Sequence, residues 1–122
     1  MTPQIRTAGP SALKILTSHS SFTVLDALAP DFERAAGQQY SVEADGAKAM
    51  LARTKGGETA DVVVLGPAEM DELAALGIVA AGSRRLIARS RVGVAVRAGA
   101  PKPDISTVAA FKQTLLDARS RR

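Results

Sequence analysis

Short apolar runs alternate with helical periods along most of the chain. Leu13-Lys14-Ile15-Leu16-Thr17 predicts a first strand. Ser18-His19-Ser20-Ser21 then reads as a loop that supplies a helix N-cap, because Ser oxygens accept from the exposed N–H groups of a first turn. Phe22, Leu25, Leu28 (or Ala29) and Phe32 recur at spacing three to four and predict an amphipathic helix over 22–36. Pro30 should kink that helix and Gly37 should end it. Gln39 to Ala44 predicts a short strand with Tyr40 and Val42 on one face. Asp45-Gly46 is a turn or cap, and Ala47 to Lys55 a second helix carrying Met50, Leu51 and Thr54, stopped by Gly56-Gly57.

The run Asp61-Val62-Val63-Val64-Leu65 has the pattern of a strand buried on both faces, and so predicts the centre of the sheet. Gly66-Pro67 breaks it and opens a helix over 67–76, closed by Gly77. Strand and helix alternate with short connections, which predicts an α/β fold with a mainly parallel sheet flanked by helices. Past Gly77 the character changes. Arg84 to Arg91 and Val92-Gly93-Val94-Ala95-Val96 read as extended strands. Asp104-Ile105-Ser106-Thr107 caps a last helix from Val108 to about Ala118, with Phe111, Leu115 and Leu116 turned inward. One strand and one helix cannot enclose a core. Residues 1–11 thus read as a flexible lead-in, and the last third as the start of a second lobe or as an element that must pack on another chain.

Composition narrows the chemistry. Aromatic residues are 3% of the chain, so Val, Leu, Ile and Ala build the core and stacking platforms for single-stranded nucleic acid are disfavoured. With no Cys and one His, thiolate and multi-histidine metal sites within one chain are excluded, and no cofactor is implied. The net charge of +4 gathers late, at Arg84, Arg85, Arg89, Arg91, Arg97 and the tail Arg119-Ser120-Arg121-Arg122. This reads as a solvated basic face and a frayed tail; attraction of an anionic ligand or nucleic acid is the alternative, and no nucleic-acid motif supports the latter. No apolar run reaches membrane-spanning length. Met1 to Pro10 also lacks the apolar segment of a signal peptide, which gives a cytoplasmic protein if Met1 is the native start.

Ordered segments carry a family resemblance over nearly all of the chain from residue 13. They are Leu13 to Thr17 with its Ser loop, Gly46-Ala47-Lys48-Ala49-Met50, Gly56 through Leu65, and Met70-Asp71-Glu72-Leu73 through Val79. Gly82-Ser83-Arg84-Arg85-Leu86 and Gly93 through Pro101 complete the set. Together they resemble bacterial solute-binding proteins of the molybdate-binding type, and within them a branch similar to aconitate isomerase. The resemblance implies two α/β lobes clamping an anion in a cleft, a periplasmic location and an ABC-transporter permease as partner. By resemblance, residues 12–82 form the anion-binding first lobe and residues 83–122 a hinge-crossing strand with the start of an incomplete second lobe, of which 91–118 match only the opening. The alternative to a binding protein or an isomerase is then a truncated fragment without ligand function that dimerises through the exposed apolar surface of Val92 to Val96 and the last helix.

The resemblance also selects site candidates. Ser20 matches a family position whose hydroxyl and N–H contact the anion; it equally reads as a plain N-cap. Ser21 and Ser18 are weaker candidates. Gly46-Ala47-Lys48 marks a second position, but Ala47 stands near a family Ser, which disfavours a compact oxyanion held by two hydroxyls. Lys48 offers a charge suited to a carboxylate, or is an exposed helix-face lysine. Gly66 allows close approach of a ligand to the backbone, or serves a strand-to-helix turn. His19 replaces a small family residue and offers a donor or an acid–base group, or is a surface histidine without a role. In an isomerase of an unsaturated tricarboxylate, His19 and Lys48 are the available acid–base groups. Asp61 should be structural, holding backbone N–H groups at the start of its strand.

Overall fold

The computed structural model describes residues 3–118. The basic tail Arg119–Arg122 lies outside the described residues. Contacts divide the chain between Arg85 and Leu86, beside the boundary read at Gly82-Ser83.

The first unit is a four-stranded sheet of mixed sense with helices. β1 (Gln4–Arg6), β2 (Leu13–Ser18), β3 (Tyr40–Asp45) and β4 (Val62–Val64) lie in the order β1-β3-β2-β4. β2 pairs in parallel with both β3 and β4, while β1 runs antiparallel to β3. α1 (His19–Ala36) joins β2 to β3, α2 (Ala47–Lys55) joins β3 to β4, and α3 (Pro67–Ala75) follows β4.

Several expectations change. Residues 4–6 are not a flexible lead-in but an edge strand, with Gln4 opposite Ala44 and Arg6 opposite Val42. The central strands are β2 and β3, and in β2 Ile15, Leu16 and Thr17 are all buried. β4 is an edge strand among the described residues, and its Val62 is 43% exposed. α1 starts at His19, so Ser18 rather than Ser20 or Ser21 holds the N-cap position. As expected, Pro30 does not break the helix; it lies on the exposed face. Solvent tolerates the carbonyl that proline leaves without a helical donor. Gly37 ends it at φ 65°, a left-handed conformation that costs glycine little.

Alternation along the strands divides the core into two layers. Ile15, Tyr40 and Val42 face α1, which contributes buried Ala29 with Phe22 and Leu25 beside it. Ala29, not Leu28, is the inward position. Phe32 packs tilted on Tyr40 with ring centroids 5.2 Å apart. The Tyr40 hydroxyl donates to the Leu25 carbonyl at 2.5 Å, and burial raises its pKa above the ordinary tyrosine value. Leu16 points to the opposite face. There α2 contacts β2, β3 and α3 and brings buried Met50 and Thr54, while α3 brings buried Leu73. Asp61 is structural, as its place before β4 suggested: its carboxylate accepts from the Lys14 N–H at 2.8 Å.

The second unit, residues 86–118, contains one helix, α4 (Val108–Asp117). The strands expected over 84–96 do not form: the segment has no ladder partner among the described residues, and β propensity alone does not make a strand. α4 buries no residue, and Phe111, Leu115 and Leu116, expected inward, are exposed. Its Thr107 cap is present, with the hydroxyl accepting from the Ala110 N–H at 3.0 Å. No described helix is long and apolar enough to cross a membrane.

Candidate functional site

The two crossovers run in opposite directions along the sheet, from β2 to β3 through α1 and from β3 back past β2 to β4 through α2. Open sheets of this kind bind ligands outside the carboxyl ends of the strands where the order reverses. Those ends are level here: Ser18 is in register with Asp45, and Thr17 with both Ala44 and Val64. Adjacent strands stand roughly 5 Å apart. Three helix N-termini therefore begin along one edge, at Ser18, Gly46 and Gly66.

None of these three N-termini has a side-chain cap. Their first-turn N–H groups carry the positive end of the helix dipole and remain available. They differ in charge. α1 and α2 have no acidic residue in the first turn, whereas α3 has Glu69. A Cβ built on Gly66 would lie 2.8 Å from the Glu69 carboxylate. Gly66 thus makes room for an internal anion at its own helix start, the arrangement a glutamate at the third helical position favours.

At α1, the Ser18 and Ser20 hydroxyls hydrogen-bond each other at 3.0 Å. Ser20 is exposed and Ser21 half-buried, both within the first turn. His19 is half-buried: its Nδ1 lies 3.0 Å from the Gln4 side-chain oxygen, and its Nε2 is enclosed without a partner. At α2, the Asp45 carboxylate accepts from the Gly46 N–H at 2.9 Å. Ala47 is half-buried and Lys48 exposed, with no ion-pair partner among the described residues. A cation in the first turn opposes the helix dipole, and a bound anion relieves that conflict. Lys48 also borders a shallow groove with Leu51 and Lys55.

A separate ionic cluster braces α2 against the sheet. Arg53 donates to Glu43 at 2.5 Å and to Glu58 at 2.6 Å, with Asp45 at 3.8 Å. Those hydrogen bonds raise the Arg53 pKa, and the one from Arg53 holds Glu58 below the ordinary glutamate range. No group of three or more potential metal ligands occurs among the described residues.

Sequence reasoning placed Ser18, His19, Ser20, Ser21, Ala47, Lys48 and Gly66 at strand ends, and the level register brings those ends to one edge. It missed Gln4, which arrives from a distant antiparallel strand with no local signal. It also missed Glu69, whose spacing three residues after Gly66 was readable.

A family model described as bacterial extracellular solute-binding protein matches residues 13–120. The chain belongs to this family. As a solute-binding family member it is similar to an aconitate isomerase of Pseudomonas sp, at 38% identity over 124 residues. That match covers 98% of this chain and 47% of the relative, so the chain spans about half the length of the curated relative it matches. No solved structure matches this solute-binding chain.

Proposed function

We propose that residues 12–82 form one wall of an anion-binding cleft, and that the bound solute is a carboxylate. The observation that carries this reading is the level row of uncapped N-termini, two of them without first-turn acid and one bearing Lys48. Backbone N–H groups and the Ser18 and Ser20 hydroxyls replace the hydration shell of the anion, while Lys48 supplies charge. Ala47 offers no hydroxyl, which favours an extended carboxylate over a compact oxyanion such as molybdate. Residues 83–122 open the second lobe, whose remaining wall comes from further sequence or a second copy, and an ABC-transporter permease receives the loaded protein. In the second-copy case the chain sediments as a dimer; a clean monomer counts against it.

Thermal-shift measurements with molybdate, sulfate, citrate and trans-aconitate test the binding. Stabilisation by the tricarboxylates, reduced in Ser20→Ala and Lys48→Ala, is expected. No shift with any of the anions overturns the reading. The aconitate isomerase similarity supports a second reading, in which the same edge isomerises an unsaturated tricarboxylate with His19 and Lys48 as acid–base groups. Conversion of trans- to cis-aconitate, followed by absorbance and lost in His19→Ala, distinguishes catalysis from binding alone.

A further inference from the structure

We propose that Gln4 is the positioning residue of His19, setting which ring nitrogen carries the proton. The functional weight of this assignment rests on the anion-site reading of the α1 N-terminus.

A neutral imidazole donates from one nitrogen and accepts at the other. Among the described residues His19 has an acceptor at only one of its nitrogens: the Gln4 side-chain oxygen lies 3.0 Å from Nδ1, while Nε2 is enclosed and unpartnered. A proton on Nδ1 is therefore used, whereas a proton on Nε2 is an orphaned donor, the rarer and costlier outcome. Turning the Gln4 amide over makes its NH2 the donor and forces the ring proton onto enclosed Nε2. The geometry thus selects the Nδ1–H tautomer, with the Nε2 lone pair bare.

The fold explains why Gln4 stands there. β1 pairs so that Gln4 is opposite Ala44, and Ala44 is in register with Thr17 at the end of β2. The side chain needs only to cross β3 to reach the first residue of α1. Arg6, next on the same face of β1, binds Asp26 at 2.7 Å, two turns further along α1. β1 therefore fastens α1 at two points, and only one of them touches the imidazole.

That asymmetry supplies the control. His19 is the only histidine of the chain, so its side-chain nitrogens can be assigned in the full 122-residue protein by long-range 1H–15N correlation without ambiguity. At a pH where the ring is neutral, wild type and Arg6→Met should both show protonated Nδ1 and bare Nε2. Gln4→Leu should move the proton toward Nε2, and Gln4→Glu, which keeps an acceptor, should restore Nδ1–H. A wild-type ring protonated on Nε2, or a Gln4→Leu ring unchanged from wild type, overturns the proposal.

Calorimetric titration with citrate adds the functional arm. Gln4→Leu should weaken citrate binding more than Arg6→Met does, because only Gln4 touches the ring beside the α1 N–H groups. Arg6→Met should leave citrate affinity near wild type although it loosens the same strand. Equal losses in both variants reduce Gln4 to a strut and overturn its positioning role. A wild-type protein that ignores citrate counts against the tricarboxylate reading alone, because the tautomer spectra still decide what Gln4 does to the ring.

Discussion

The helices of the first unit and the helix of the second solve the problem of their N-termini in opposite ways. α4 closes its own first turn with the Thr107 hydroxyl. α1, α2 and α3, each following a parallel strand, have no such closure. The same division appears in the apolar side chains. Leu16 in β2 is fully buried, whereas Val92 is 100% and Val108 87% exposed. Hydrophobicity is therefore a demand for a partner: the first unit buries a core within its own residues, whereas the described residues of the second bury no large apolar side chain. The lesson is that a capped helix needs nothing further at its start, while a row of uncapped ones at a strand edge leaves donors for something else to satisfy.

The strongest way to break this contrast is through the core. Leu16→Ala should cost about 2–5 kcal/mol in urea unfolding, because it opens a cavity at the centre of the sheet. Val92→Ser should change stability by less than about 0.5 kcal/mol, as surface substitutions do. A large loss at Val92 would show that the second unit is held by contacts the comparison denies it.

Next comes the ionic brace. Arg53→Met leaves Glu43, Glu58 and Asp45 near one another and should cost about 2 kcal/mol, within the range for charged hydrogen bonds. Its pH signature has a definite sign. Glu58 has a folded pKa below its unfolded one, chiefly through the hydrogen bond from Arg53. Its contribution is present above the ordinary glutamate value and is lost as pH falls through that value toward the depressed one. Glu58→Gln should flatten this part of a stability-against-pH curve; an unchanged slope removes Glu58 from the brace.

Caps give a smaller effect and the sharpest comparison. Thr107→Ala should cost about 1 kcal/mol of local stability, seen as faster amide exchange at the start of α4. Ser18→Ala, at a position that makes no capping bond, should stay within about 0.5 kcal/mol. Smallest of all is Gly66→Ala. The backbone there has φ −69°, and the added methyl meets only the mobile end of Glu69, so melting temperature should barely move.

Local order was well written in the sequence. The spacing of Phe22, Leu25 and Ala29, the Gly37 stop and the Pro67 start each act within a turn or two of themselves. Neighbour relations were less legible. Val62 to Val64 look buried because valines suit strands, yet which strands have two neighbours is decided by pairing, and β2 and β3 hold those places. Gln4-Ile5-Arg6 carries too few apolar residues to declare a strand; it exists because β3 offers it an edge. The reverse happened at Val92 to Val96, where propensity was strong and a partner absent among the described residues. Strand-end candidates were readable from the alternation itself. Their support was not, since Gln4 reaches His19 across 15 residues and an antiparallel pairing.

The pairing of β1 has a consequence in time. A chain emerges from the ribosome N-terminus first. Residues 4–6 are made before everything they will touch, and their backbone partners, Val42 to Ala44, come much later. Until then β2 and α1 must persist with that edge unformed. The first strand in sequence thus cannot join the sheet before β3 exists. The Gln4 contact to His19 belongs to that docked arrangement, so the proton arrangement at the α1 start reports on the seating of β1.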